Sequence, residues 1–124
     1  MNNNKKLLIV EDDGSVRRVL SEEFRKKNLT VLEAEKGEQA IELANREKPQ
    51  GILLDVIMPK MHGMDFVLRI KETEWGKTVP IILLTNYADD PRVVAAVKEG
   101  RCQLLNKAET KLPVILETVL KSLS

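Results

Sequence analysis

The chain has 124 residues, 43% of them hydrophobic and 31% charged, and its 20 basic and 19 acidic side chains leave a formal net charge of +1. That length suits one compact domain burying roughly 65–70% of its unfolded surface, so a single unit over residues 1–124 is expected. No apolar run approaches the roughly 20 residues of a membrane helix. With no basic tract, and with Trp75, Tyr87, Phe24 and Phe66 as the aromatics, the sequence argues against a membrane span and against direct nucleic-acid binding.

The opening, Met1-Asn2-Asn3-Asn4-Lys5-Lys6, is polar, and the apolar stretch that follows is shorter than a signal-peptide core of about 7–15 residues. A cytoplasmic protein is expected. Leu7 to Val10, Thr30 to Leu32, Ile52 to Leu54 and Ile81 to Leu84 are short apolar runs, mostly without alternation, as suits strands buried on both faces of a parallel sheet. Cys102 to Leu105 is a fainter fifth candidate, placed as an edge strand. Between the runs, apolar residues recur every three or four positions: Val16, Val19, Leu20 and Phe24; Ala40, Ile41 and Ala44; Val67 and Ile70; Val93, Val94 and Val97. Leu112, Ile115, Leu116, Val119, Leu120 and Leu123 close the chain as an amphipathic helix. Asp90-Pro91 reads as a helix start, Gly100 as a helix end, and Thr110 as the cap of the last helix with Pro113 in its first turn. Five strands alternating with five helices predict a doubly wound α/β domain with right-handed crossovers. The one cysteine, Cys102, rules out an internal disulfide and a thiolate metal cluster, and reads as a small buried residue.

In such a sheet the ligand site lies beyond the carboxyl ends of the strands. Glu11, Asp12 and Asp13 follow the first run, Asp55 the third, Thr85 the fourth, and Lys107 the fifth. Crowded carboxylates repel, and a bound cation resolves the repulsion; an all-oxygen pocket favours Mg²⁺, which binds through one or two carboxylates plus phosphate oxygens. A carboxylate can itself attack a phosphoryl group, with positioning and charge neutralisation supplying most of the catalysis. Asp55 is the candidate nucleophile because its strand should be central. Asp13 reads instead as a local helix cap, with Ser15 as another backbone partner. His62 stands alone without a second histidine and reads as structural, and Met58, Met61 and Met64 read as loop packing.

Leu8-Ile9-Val10-Glu11-Asp12-Asp13, then Leu53-Leu54-Asp55-Val56-Ile57-Met58-Pro59-Lys60-Met61-His62-Gly63-Met64, then Pro80 to Thr85, then Lys107, resemble the receiver domain of two-component response regulators over essentially the whole chain. The resemblance implies a flavodoxin-like (βα)5 three-layer sandwich whose five-stranded parallel sheet has strand order 2-1-3-4-5. It implies that Asp55 is the phosphorylation site, that Glu11 and Asp12 are the acidic pair holding Mg²⁺, with Asp12 the more direct ligand, and that Ile57 lends the metal its backbone carbonyl. Thr85 and Lys107 match the switch hydroxyl and the phosphate-binding lysine. The implied phosphodonor is a histidine kinase or phosphotransfer protein. The implied output is a downstream protein bound on the face of the fourth helix, fifth strand and fifth helix, by a monomer or a phosphorylation-dependent dimer.

Three residues depart from the family pattern: Ala108 where proline usually follows the lysine, Leu104 where many members carry Tyr or Phe, and Asn86 where a small residue is common. The bond before Ala108 is expected to be trans, because a cis bond before a non-proline residue costs about 2.5–4 kcal/mol. These departures motivate an alternative, a phosphorylation-independent interaction module. A third class, an aspartyl-phosphate-forming phosphatase resembling the haloacid dehalogenases, would need a second Asp two residues after the nucleophile, where this chain has Ile57.

Overall fold

The computed structural model describes residues 5–58 and 60–124, so Pro59 of the central motif and the polar opening Met1–Asn4 lie outside the described residues. Five strands, β1 (Lys6–Val10), β2 (Thr30–Ala34), β3 (Gly51–Leu54), β4 (Ile81–Thr85) and β5 (Gln103–Asn106), form one sheet in the order β2-β1-β3-β4-β5. Every pairing in it is parallel, with Leu8 opposite Leu32 and Ile52, Leu53 opposite Ile82, and Leu83 opposite Leu104. The expected order is thus present, with β3 at the centre.

Five helices cover the sheet: α1 (Gly14–Arg25), α2 (Gly37–Glu47), α3 (Gly63–Lys71), α4 (Pro91–Lys98) and α5 (Leu112–Leu123). Side chains alternate across a strand, and here both faces are apolar because both are covered. Leu8, Val10, Ile52, Leu54, Ile81 and Leu83 pack with Ala40, Ile41, Phe66, Ile70 and Val93 of α2, α3 and α4. Leu7, Ile9, Leu53, Ile82 and Leu84 pack with Leu20, Phe24, Ile115, Val119 and Leu123 of α1 and α5. At about 1.5–3 kcal/mol for each fully buried large side chain, these two layers hold the sheet rigid enough to position what lies at its rim.

Several predicted punctuation marks stand where expected. Asp13 caps α1, its Oδ1 accepting from the backbone N–H of Ser15 at 2.9 Å and of Val16 at 3.3 Å, while Ser15 takes part here through that N–H. Asp90 caps α4 by accepting from the Arg92 N–H, with Pro91 opening the helix. Gly100, at φ +76, ends α4 in a paired-bond motif: Arg101 N–H donates to the Ala96 carbonyl and Gly100 N–H to that of Val97. Cys102 is buried, as are Met58 and Met64, and Met61 packs half-buried against the core.

Thr110 does not cap α5. The helix begins one residue later, Lys111 holds the cap position without a side-chain bond, and the N–H of Thr110 is spent on the Asn106 carbonyl in the preceding turn. Nor does Val19 face the sheet: Val16, Leu20 and Phe24 take the inward stripe, leaving Val19 half exposed on the groove between α1 and α5. Val94 is likewise exposed, because Val93 and Ala96 fill the buried face of α4.

After β3 the chain makes a short antiparallel ribbon, Ile57–Met58 against Met61–His62, before entering α3. Gly63 is needed at that entry. Its N–H donates to the Val56 carbonyl at 2.6 Å, and a Cβ on residue 63 would lie 2.6 Å from Val56 Cα and 2.8 Å from its carbonyl oxygen.

Candidate functional site

Each predicted polar residue sits at the carboxyl end of its strand. Glu11 follows β1 and Asp55 follows β3, and both extend the sheet: Glu11 N–H donates to the Ala34 carbonyl and Asp55 N–H to that of Val10, each at 3.0 Å. Lys107 extends β5 in the same way, its N–H reaching the Thr85 carbonyl at 2.9 Å. The backbone ladder therefore places all three side chains on one rim.

There they meet. Lys107 Nζ donates to Glu11 Oε1 at 2.6 Å and to Asp55 Oδ2 at 3.0 Å, although the residues are 96 and 52 positions apart in the chain. Carboxylate oxygens of Glu11, Asp12 and Asp55 lie within 4.8 Å of one another. Asp12 is exposed, Asp55 half-buried, and Glu11 only 3% exposed. The second oxygens are held locally: Glu11 Oε2 accepts from the Asp13 N–H at 3.1 Å and Asp55 Oδ1 from the Ile57 N–H at 3.2 Å. Ile57, expected to offer its carbonyl, is thus tied to Asp55 through its amide.

Burial pushes the Glu11 carboxyl above its ordinary range, and the bonds from Lys107 and the Asp13 N–H only partly oppose that. For Lys107 burial acts against the ammonium, but hydrogen bonds to Glu11 and Asp55 outweigh it and hold the group above its ordinary value. The two directions are compatible because one cation is shared between two carboxylates. Lys107 stays charged; Glu11 receives only part of its compensation.

Three carboxylates against one ammonium leave this rim with a formal excess of negative charge. An all-oxygen donor set of this density fits a small hard divalent cation and suits neither zinc nor copper, which prefer nitrogen and sulfur ligands. Thr85 closes β4 opposite Asn106, wholly buried, with Oγ1 accepting the Tyr87 N–H at 3.1 Å.

Three residues support this rim and its surroundings; sequence reasoning passed over Arg17 and Asn106, and read His62 as structural without finding its partners. Arg17 Nη1 donates to the Glu11 carbonyl at 2.7 Å while its Nε pairs with Glu33 at 3.1 Å, pinning the turn that carries the acidic residues. His62 caps α3 by accepting the Met64 N–H on Nδ1 at 3.0 Å, and its Nε2 lies 3.1 Å from Asp90 Oδ2, so one ring joins the starts of α3 and α4. Asn106 Oδ1 accepts from the N–H groups of Ala108 at 3.0 Å and Glu109 at 3.3 Å, building the loop beyond Lys107. An Asn at a strand end is a recognisable turn former, whereas a lone histidine and an arginine within a helix give no such signal.

Residues 7–119 match the family described as the response regulator receiver domain. Among curated relatives, sporulation initiation phosphotransferase F of Bacillus subtilis is 33% identical over 86 residues, covering 69% of this chain and 68% of that one. The solved structure of the chemotaxis response regulator CheY4 of Vibrio cholerae is similar at a TM-score of 0.84 and 28% identity, covering 95% of this chain and 98% of the other. The receiver domain of sensor histidine kinase PA1611 from Pseudomonas aeruginosa PAO1, solved with a magnesium ion coordinated in its active-site cleft, is similar at a TM-score of 0.84 and 26% identity, covering 97% and 98%. Other curated relatives are longer, the chain spanning as little as 23% of their length. No helix among the described residues is long and apolar enough to cross a membrane.

Proposed function

The chain belongs to the family of response regulator receiver domains, signalling modules of two-component systems, and from that premise we propose that Asp55 accepts a phosphoryl group from a histidine kinase or phosphotransfer protein. The observation that carries this reading is the placing of Lys107 Nζ between Asp55 and Glu11, at 3.0 and 2.6 Å, beside the Asp12 carboxylate. A phosphoacceptor needs that combination of a nucleophilic carboxylate, an ammonium for a phosphoryl oxygen, and spare carboxylates for a cation.

In the proposed step an oxygen of Asp55 attacks phosphorus. The bond from phosphorus to the donor's histidine nitrogen, or to the oxygen of a small acyl phosphate, breaks, and the leaving group keeps the electron pair. Glu11, Asp12, Asp55 and the Ile57 carbonyl would hold Mg²⁺, which supplies charge neutralisation to the carboxylates and the incoming phosphoryl oxygens. Lys107 turns from one of its carboxylates to a phosphoryl oxygen without changing its protonation. Thr85 Oγ1 already accepts a hydrogen bond and has no acceptor for its own proton among the described residues, so it has a donor to offer a second oxygen. Hydrolysis reverses the state: water attacks phosphorus, the bond to Asp55 breaks, and inorganic phosphate leaves. The domain acts as a phosphoacceptor with limited self-catalysis rather than as a classical enzyme.

The output is contact with a downstream protein on the face of α4, β5 and α5, in the cytoplasm, by a monomer or a dimer formed on phosphorylation. Support for that face comes from Tyr87, Val94 and Val114, apolar side chains left 52%, 39% and 47% exposed on or beside it.

The test is incubation with Mg²⁺ and acetyl phosphate, read by intact mass. One added phosphoryl group, absent in Asp55→Asn, supports the reading; no uptake overturns it. NMR shift mapping with beryllofluoride then separates the switch from the alternative, a phosphorylation-independent interaction module. Shifts reaching α4, β5 and α5 support the switch, and shifts confined to the pocket favour the alternative that Leu104, Asn86 and Ala108 motivate. Multiple turnover of phosphate esters would favour a phosphatase.

A further inference from the structure

At the opposite rim of the sheet, where β4 and β5 begin, a cleft of about 500 Å³ opens between the end of α3 and the turn after α4. Lys71, Lys77 and Arg101 line it together with the polar Thr78 and Gln103, and no acidic side chain among the described residues does. A volume of this size is ordinary for a small-molecule site.

Two of the cations have bonding capacity that the protein leaves unused. Lys71 Nζ rests on the backbone carbonyls of Val79 at 2.6 Å and Lys77 at 3.5 Å, with no carboxylate partner among the described residues. Burial depresses its pKa, as befits an ammonium without an anion. Arg101 pairs through Nη2 with Glu99 at 2.9 Å, but its Nε is buried with no hydrogen-bond partner among the described residues. That nitrogen is sealed from solvent, so a ligand in the cleft would meet the outer guanidinium nitrogens of Arg101, whose side chain is 29% exposed. Glu99 and Glu74, the partners of Arg101 and Lys77, are 62% and 91% exposed, so their hold is weak and screened.

We propose that this cleft binds the phosphate of a small phosphomonoester, with Lys71 and Arg101 as its paired donors and Thr78 beside them. A phosphate presents several acceptor oxygens and two charges, which matches one ammonium and one planar guanidinium better than a single carboxylate does. The cleft exceeds what a bare phosphate fills, leaving room for the organic group against Val79 and Ile81. The site stands apart from Asp55, at the other ends of parallel strands.

The experiment is an NMR titration of the full chain carrying Asp55→Asn, in EDTA, with glycerol phosphate, inorganic phosphate and glycerate as probes. Saturable shifts at Val79 and at residues 100 to 103 with glycerol phosphate are expected. Weaker binding of inorganic phosphate assigns the organic ester, and equal binding assigns the free oxyanion as occupant of the same site. Lys71→Gln and Arg101→Gln should each weaken binding about tenfold or more, the factor for losing a charge-assisted bond. Glu99→Gln, an exposed change that does not threaten folding, should tighten binding by freeing Arg101. In an otherwise wild-type chain these variants should leave phosphoryl uptake at Asp55 unchanged. Shifts that are absent, linear without saturation, equally strong with glycerate, or indifferent to Glu99→Gln and Arg101→Gln would overturn the proposal.

Discussion

Replacing Asp12 by Asn should make the metal-free protein more stable and the metal-loaded protein less so. The Asp12 carboxylate lies within 4.8 Å of oxygens of both Glu11 and Asp55, and the one nearby ammonium is engaged with those two and not with Asp12. At that separation each like-charge pair costs about 1 kcal/mol in water-like surroundings, the appropriate limit because Asp12 is exposed. Two such pairs, reduced by the field of Lys107, give about 1–2 kcal/mol of relief in EDTA, or about 3–8 °C in Tm. The gain should shrink as ionic strength rises, since exposed charges are screened. Mg²⁺ reverses the order: at a hundredfold excess over its Kd it would stabilise the wild type by about 2.7 kcal/mol, and a variant lacking one ligand would gain less. Urea denaturation of both proteins, with EDTA and with saturating Mg²⁺, reads the crossing directly. If Asp12→Asn proves less stable in EDTA, or if Mg²⁺ stabilises both proteins equally, the carboxylates do not form one mutually repelling metal cradle and the reasoning fails.

Gly63→Ala should cost about 1–3 kcal/mol in denaturant titrations, because its new Cβ meets Val56 backbone atoms at 2.6 and 2.8 Å rather than a flexible side chain. Asp90→Ala should cost about 1 kcal/mol for the lost α4 cap, and more if the bond to His62 contributes. Asp90→Asn keeps the cap and removes the charge, which gives a pH test. The Arg92 N–H, and then His62, hold the Asp90 carboxyl below its ordinary value, so the charge stabilises the fold above the unfolded pKa of about 3.9 and that benefit is lost as pH falls through the lower folded value. Wild type should exceed Asp90→Asn in stability near neutrality and converge with it in acid; a gap that widens in acid would contradict the sign. Asn106→Ala should cost about 1 kcal/mol in stability and slow phosphoryl uptake from acetyl phosphate, since it frees the loop that aims Lys107.

Legibility in the sequence followed the kind of signal available. β1, β3 and β4 were plain because strands covered on both faces must be apolar throughout, and their ends marked the rim where Glu11, Asp55 and Thr85 stand. The helix start at Asp90-Pro91 and the end at Gly100 were plain because each rests on local chemistry of one or two residues. Thr110 misleads because α5 opens one residue later, with Lys111 at the cap position and no side-chain bond there, an offset that periodicity does not register. Val19 and Val94 misled because apolar spacing cannot say which member of an adjacent pair lies at the edge of the stripe. His62 and Arg17 were invisible as builders of the site, since their partners, Asp90, Glu33 and the Glu11 carbonyl, are brought near only by the fold.

The loop after β5 shows why a departure from a family pattern is not by itself a loss. Proline at position 108 would have no N–H, and here that N–H is a working donor: it bonds Asn106 Oδ1 at 3.0 Å, with the Glu109 N–H on the same oxygen. The turn is completed by Glu109 and Thr110 amides on the Asn106 carbonyl. None of the described peptide bonds is cis, as expected for the bond before Ala108. Asn106 and Ala108 thus form one local solution, an Asx turn needing an amide where the family usually has none. Lys107 sits inside it, its backbone fixed to Thr85 and its side chain delivered to Glu11 and Asp55. The substitution at 108 changes how the loop is held while the reach of the lysine is kept. By the same logic the aromatic missing at Leu104 is a separate question, because Leu104 packs against the core on the α2, α3 and α4 side of the sheet and takes no part in the bonds that hold Lys107 to Glu11 and Asp55.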